Sequence, residues 1–103
     1  MVSDEYLSKL RRSIRRNPSD EVDAELRDLI DECRADLVSL GVSKEKVENE
    51  EDPLVLGTIR CFVRWKFGLS NEDAAGNRED YLVLRDELRR RVEYGVEDAN
   101  VFQ

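Results

Sequence analysis

The apolar run at residues 53–67, PLVLGTIRCFVRWKF, constrains the fold more than any other part of the chain. When these residues are placed about 100° apart on a helix, apolar side chains cover most of the cylinder. They leave one narrow polar strip, formed by Gly57, Arg60 and Arg64. A helix that is apolar nearly all round has to be surrounded by other elements. The sequence therefore predicts a central helix about which the rest of the chain packs.

Start and stop signals flank this run. Asp52 can accept hydrogen bonds from the free N–H groups of a first helical turn, and Pro53 has the fixed φ that suits the first helical position. Gly68 can adopt the left-handed conformation that ends a helix, and Gly41 does the same for the preceding helix. We therefore expect the central helix to occupy residues 53–67.

Three further segments, at residues 3–14, 19–40 and 77–94, have the apolar periodicity of amphipathic helices. Ser3 and Ser19 are the expected N-caps of the first two. Helices of this length, packed around one central helix, predict an all-α fold and more narrowly a small four-helix bundle.

The chain is long enough for one modest core and too short for two. We therefore expect a single helical domain over residues 1–95. Residues 42–52 are interpreted as a connecting loop, with at most one helical turn capped by Ser43. Residues 96–103 show no apolar period, so they are expected to form a loose C-terminal tail.

The net charge of −7 limits the partners of the chain. A field of this sign repels phosphate backbones and anionic lipids, so any role with nucleic acid is expected to be local or indirect. No apolar run approaches the roughly 20 residues of a membrane span, and the charged N-terminus lacks the apolar region of a signal peptide. We expect a soluble, intracellular protein with no membrane partner.

The composition also argues against catalysis. The chain contains no histidine, which excludes the usual Cys/His zinc sites and every nucleophile that relies on a histidine base. Cys33 and Cys61 are expected to be reduced core thiols, with a disulfide as the lesser alternative. The acidic residues 48–52 lack the glycine and alternating oxygen ligands of a calcium loop. We therefore predict no enzyme, and no catalytic, metal or cofactor-binding residues.

Charge is unevenly distributed along the helices. Residues 1–16 carry five basic and two acidic side chains, residues 19–36 carry eight acidic and two basic ones, and the central helix carries three basic ones and no acidic one. One interpretation is that these are solvated faces with local ion pairs. The other is that an acidic face of the second helix meets a basic face of a neighbouring copy, a head-to-tail contact that can close into a ring.

Arginines supply the candidate contact residues. The strip of Arg60 and Arg64 on the central helix is a candidate surface for a neighbouring subunit. Arg89, Arg90 and Arg91 lie near the end of the last helix, where positive charge offsets the helix dipole. Arginine also binds carboxylates well, so these residues are candidate contacts with an acidic partner.

The run EDPLVLGTIRCFVRWKFGLSNEDAAGNREDYLVLRDELRRRVEY resembles the core of the small head-tail connector proteins of long-tailed bacteriophages, also called adaptor or DNA-packaging proteins. The matching features are DPL, an apolar helix ending in KFG, an Asn-bearing turn, and then Tyr81 in a Leu-rich last helix. The upstream DAELRDLIDECRADLVSLGV is similar to the second helix of that family. The arginine-rich N-terminal helix departs from the family pattern.

The resemblance implies a small α-helical bundle that assembles into a ring of about a dozen copies under the portal protein. Such a ring prolongs the DNA channel, through which DNA passes without sequence-specific binding, and receives the next head-completion or tail protein. The implied location is the head-tail junction of the virion, and the host cytoplasm during assembly. In this family the C-terminal segment tends to reach the portal, which makes Phe102 a candidate portal contact beside Arg89, Arg90 and Arg91.

The main alternative is a monomeric or dimeric regulator whose acidic second helix imitates DNA or blocks a basic nucleic-acid enzyme. It predicts tight binding to such an enzyme and no ring. A helix-turn-helix DNA binder is disfavoured by the net charge.

Overall fold

The fold is all-α, as the sequence predicts. The structure, a computed structural model, describes residues 2–68 and 72–95. Within them the chain forms five α-helices and one short 3₁₀ helix, and it contains no β-strand beyond an isolated bridge. The α-helices are α1 (Asp4–Ser13), α2 (Asp20–Ser39), α3 (Lys44–Val47), α4 (Pro53–Lys66) and α5 (Ala74–Arg90), and the 3₁₀ helix is Val92–Tyr94.

Helix α4 is central, but its enclosure is incomplete. It packs against α1, α2 and α5, and its residues Val55, Ile59 and Val63 are fully buried. On the opposite side Leu56 and Arg60 are only half-buried. The prediction of a surrounded helix therefore holds for one side of α4, while the polar strip lies at the surface.

The local signals at the helix ends are confirmed. The hydroxyls of Ser3, Ser19 and Ser43 each accept a hydrogen bond from the backbone N–H three residues later, and Asp52 Oδ1 accepts from Leu54 and Val55. Gly41 ends α2 with a φ of +102°, in the left-handed region that glycine adopts without strain. Gly68 also has a left-handed φ, of +84°, but it lies one residue beyond the extended Phe67 that ends α4.

The boundaries of the last two helices differ from the prediction. Helix α4 ends at Lys66, because Phe67 has an extended backbone. Helix α5 begins at Ala74 rather than near Asn77. The buried Asn77 side chain donates to the carbonyl oxygen of Asp73 at 3.0 Å, so it lies within the first turn of α5. Helix α5 thus begins about one turn earlier than the sequence predicts, and Asn77 forms its hydrogen bond inside the helix.

The end of the described chain is fixed to the start of α4. Val42 and Gly95 form the isolated bridge, and the N–H of Ser43 donates to the carbonyl oxygen of Tyr94 at 2.7 Å. The Tyr94 hydroxyl donates to Asp52 Oδ2 at 2.8 Å. Residues 96–103, the predicted loose tail with Phe102, lie outside the described residues.

The two cysteines differ in burial. Both thiols are free, as the sequence predicts, but only Cys33 belongs to the core, while Cys61 is half-buried at its edge. Among the described helices, none is both long enough and apolar enough to span a membrane.

Candidate functional site

A groove between α1 and α4 gathers basic side chains from both helices. Its volume is about 550 Å³, and every charged residue that lines it is basic. We call it the basic groove; it is lined by Lys9, Arg12, Ser13, Arg15, Leu56, Arg60 and Arg64. The predicted contacts Arg60 and Arg64 therefore lie on one surface. Three cations from α1 and its C-terminal end share this surface, which the sequence did not predict.

Two features of the backbone place the α1 cations in the basic groove. Lys9 and Arg12 lie about one helical turn apart, so they share a face of α1. Beyond the end of α1, Arg15 adopts a left-handed φ of +56°, which turns the chain back on itself. After this turn the Arg16 guanidinium lies over the Phe67 ring, 5.2 Å from its centroid. The turn thus puts Arg15 at the groove and Arg16 beside the end of α4.

Four cations of the basic groove form no ion pair with any described residue. They are Lys9, Arg12, Arg15 and Arg60. Arg11, on the same helix, instead binds Asp23 of α2 at 3.0 Å. Guanidinium and ammonium groups without a carboxylate are suited to bind an anion supplied from outside.

The second predicted cluster, Arg89, Arg90 and Arg91, has a different environment. Arg90 binds Asp86 at 3.0 Å and Arg91 binds Glu87 at 3.3 Å, while Arg89 also binds Asp86. The hydrogen bond from Arg89 lowers the pKa of Asp86. The structure therefore places this cluster at the exposed end of α5, apart from the basic groove and neutralised by its own helix.

The exposed side of α2 is acidic. We call it the acidic face; its residues are Asp20, Glu21, Ala24, Glu25, Asp28, Asp31, Glu32 and Ala35. Glu32 binds Lys66 at 3.1 Å, and Glu25 accepts a hydrogen bond from the Gly68 N–H at 3.3 Å. Asp28 and Asp31, in the middle of the helix, have no ion pair in the described part of the chain.

A third polar group links α2 to α5 and was not predicted. Asp36 accepts hydrogen bonds from the Tyr81 hydroxyl at 2.6 Å and from Arg85 Nε at 2.8 Å. Partial burial alone would raise the pKa of Asp36, but these two hydrogen bonds outweigh it and the net pKa is lowered. Burial raises the pKa of the Cys33 thiol, 3.8 Å from the Tyr81 oxygen, to about 12. Partners 45 or more residues apart leave no local signal in the sequence.

Arg34 is a buried cation that the sequence reading also missed. It is 7% exposed, its Nε donates to the carbonyl oxygen of Val47 at 3.2 Å, and its guanidinium lies 5.7 Å from the centroid of the Tyr6 ring. Arg34 lies beside the apolar stripe of α2, and this position is the only indication in the sequence that it is buried.

The basic groove is equipped for binding rather than for covalent chemistry. Its one hydroxyl, Ser13 Oγ, donates to the carbonyl oxygen of Leu10 at 2.6 Å. In the described residues, no group of three histidine, cysteine or acidic side chains is placed to hold a metal ion. The comparisons with known proteins found no matching family model, no matching curated protein and no matching solved structure.

Proposed function

We propose that the chain is a head-tail connector of a long-tailed bacteriophage, a non-enzymatic adaptor that forms a ring under the portal protein. In this proposal the four longer helices form one bundle around α4. The observation that carries the proposal is the separation of charge: a basic groove between α1 and α4, and an acidic face on α2. A subunit with two complementary surfaces can bind its own copies in series.

The resemblance of residues 51–94 to connector proteins gives this assembly its biological setting. A ring of about a dozen copies would extend the DNA channel and join the head to the next head-completion or tail protein. The net charge of −7 is compatible with that role, because an acidic channel repels the DNA backbone and lets it slide. The protein would then act in the virion, after assembly in the host cytoplasm.

The two arginine clusters receive different roles in this proposal. Arg60 and Arg64 belong to the subunit contact, since they lie in the basic groove. Arg89, Arg90 and Arg91 are proposed portal contacts together with Phe102, because the C-terminal segment continues from that end of the molecule.

Native mass spectrometry at several protein concentrations, with and without the cognate portal protein, tests the proposal. We expect concentration-dependent oligomers that close at one defined size, and a complex with the portal. Negative-stain images of the same samples should show rings. A protein that stays monomeric at all concentrations and does not bind the portal would contradict the connector function.

The acidic face favours a second candidate, a regulator that binds a basic nucleic-acid enzyme in place of DNA. Asp28 and Asp31 lie about one helical turn apart and form no ion pair with a described residue, as a DNA mimic requires. This candidate predicts a monomer or dimer that inhibits such an enzyme. The mass spectra separate the two, because only the connector forms a closed ring of many copies.

A further inference from the structure

We infer that the occupant of the basic groove is the acidic face of α2 in the next copy of the chain. This inference deepens the proposed function and rests on its ring. It names both sides of the subunit contact, which are the α1–α4 groove of one copy and the exposed side of α2 of its neighbour.

Charge complementarity is the first argument. The basic groove presents five cations and no acidic side chain. The acidic face presents six carboxylates, and the exposed Arg27 beside it is paired with Asp4 at 3.5 Å. The spacing also agrees: Lys9 and Arg12 of the groove are three residues apart, and so are Asp28 and Asp31, so each pair spans about one helical turn, 5–6 Å. Two cations of the groove can therefore meet two carboxylates in register.

The second argument is that Asp28, Asp31 and Arg60 form no ion pair with any described residue of their own subunit. Asp20 and Glu21 lie in the first turn of α2, where they stabilise the helix dipole. That effect falls off within one turn, so it does not reach Asp28 or Asp31. Arg60 likewise lies in the middle of α4, away from both ends. Charges that support neither a helix end nor an internal ion pair are free to serve an interface.

The shapes of the two surfaces fit. The acidic face is the convex side of a long helix, and the small residues Ala24 and Ala35 lie among its carboxylates. Small side chains allow the arginines of a partner to approach the helix closely. The basic groove is shallow and open, and among the described residues Leu56 is its one apolar lining residue.

The two surfaces point to different sides of the molecule. Lys66 marks the side of α4 that faces α2, because its ammonium binds Glu32. At about 100° per residue, Arg60 lies about 120° and Arg64 about 160° around α4 from Lys66. The acidic face in turn is the side of α2 directed away from the core. A contact between surfaces on different sides is head-to-tail, and repetition gives a ring or a filament.

By charge alone, a nucleic acid is the other polyanion that suits this groove. The net charge of −7 opposes it, because the long-range field repels a phosphate backbone while a second copy offers its carboxylates locally. Duplex DNA is therefore used below as a competing ligand rather than as the proposed one.

Two charge-reversal variants test the contact. The groove variant carries Arg12→Glu and Arg60→Glu, and the face variant carries Asp28→Lys and Asp31→Lys. Their matched controls reverse exposed charges outside both surfaces: Arg90→Glu with Arg91→Glu near the end of α5, and Glu45→Lys with Glu79→Lys. Circular dichroism and urea unfolding verify that all four variants fold. Association is measured by sedimentation, and by NMR titration up to about 1 mM for weak contacts.

Each test variant should self-associate at least about tenfold more weakly than its control, because like charges then face each other. A mixture of the two should regain assembly with the variants alternating, since the intact face fits the intact groove and the reversed face fits the reversed groove. A chain carrying all four reversals should regain assembly. Unchanged association of either variant, or no binding in the mixture, would overturn the inference.

Two further measurements separate this inference from the proposed function. If rings and portal binding persist in both variants, the contact is wrong and the connector function stands. If the mixture binds but the wild type forms no ring and ignores the portal, the contact stands and the connector function fails. Loss of duplex DNA binding in the groove variant, with unchanged self-association, would assign the groove to nucleic acid instead.

Discussion

Arg85 and Arg60 are both half-buried arginines in the middle of long helices, but among the described residues only Arg85 has an acidic partner. Its Nε donates to Asp36 at 2.8 Å, across the contact between α5 and α2. Arg60 has no ion pair among the described residues. The comparison separates two uses of the same side chain: Arg85 stabilises the fold, and Arg60 is available to a partner.

The environment of Arg85 is a connected network. Asp36 accepts from both Arg85 and Tyr81, and the Tyr81 hydroxyl lies 3.8 Å from the Cys33 thiol. Removing one partner of such a network leaves the other groups without hydrogen bonds in a partly buried site, which costs more than the average hydrogen bond contributes. The cations of the basic groove do not depend on one another in this way.

The largest effect on stability is expected from Asp36→Ala. The substitution leaves the Tyr81 hydroxyl and Arg85 without their acceptor, and it should lower the free energy of unfolding by about 1–3 kcal/mol. Urea unfolding measures the change. Asp28→Ala, on the acidic face, is the matched control and should stay within about 0.5 kcal/mol of the wild type. Equal losses in both variants would erase the distinction between the two regions.

A smaller difference is expected between the two arginines themselves. Arg85→Ala should lower the free energy of unfolding by about 1 kcal/mol, because Asp36 still accepts a hydrogen bond from Tyr81 and remains partly accessible to solvent. Arg60→Ala should change stability by less than about 0.5 kcal/mol but weaken self-association. Thermal unfolding and sedimentation on the same samples provide the two readouts. A strongly destabilised Arg60→Ala would show that this side chain serves the fold after all.

Acid should weaken the Asp36 network. The folded-state pKa of Asp36 is lowered, so its contribution to stability is fully present above the pKa of the unfolded chain, about 3.9, and is lost as pH falls through the folded value. Melting temperatures measured from pH 6 to pH 2 should fall less steeply for Asp36→Asn than for the wild type. Parallel curves would show that Asp36 has the same pKa in both states.

The smallest effect concerns the two thiols. Burial raises the pKa of Cys33 to about 12 and also raises that of Cys61. Because Cys61 is half-buried at the edge of the core, it should react first with a thiol reagent at pH 8, and Cys33 should react only on unfolding. Cys61→Ser tests the assignment by removing the faster phase. If fast labelling persists in Cys61→Ser, Cys33 is accessible to the reagent, and the contact between α2 and α5 opens in the folded protein.

The parts of the structure that sequence predicts well are those determined by near neighbours. Ser3 and Asp52 cap their helices through bonds that span two or three residues, so the residue type and its position suffice. Asp36 and Arg85 are 49 residues apart, and their pairing depends on how α2 and α5 cross. The basic groove is intermediate: Arg60 and Arg64 are visible on one helix, but their approach to Lys9 follows from tertiary packing.

Arg15 carries a consequence for the natural variation of this protein. A non-glycine residue at φ +56° costs of order 1 kcal/mol relative to glycine, which adopts that backbone freely. The single substitution Arg15→Gly is therefore expected to stabilise the chain. It also removes a cation from the surface between α1 and α4. A chain selected for stability alone would be expected to carry glycine here, whereas one that must hold an acidic neighbour would tolerate the strained arginine.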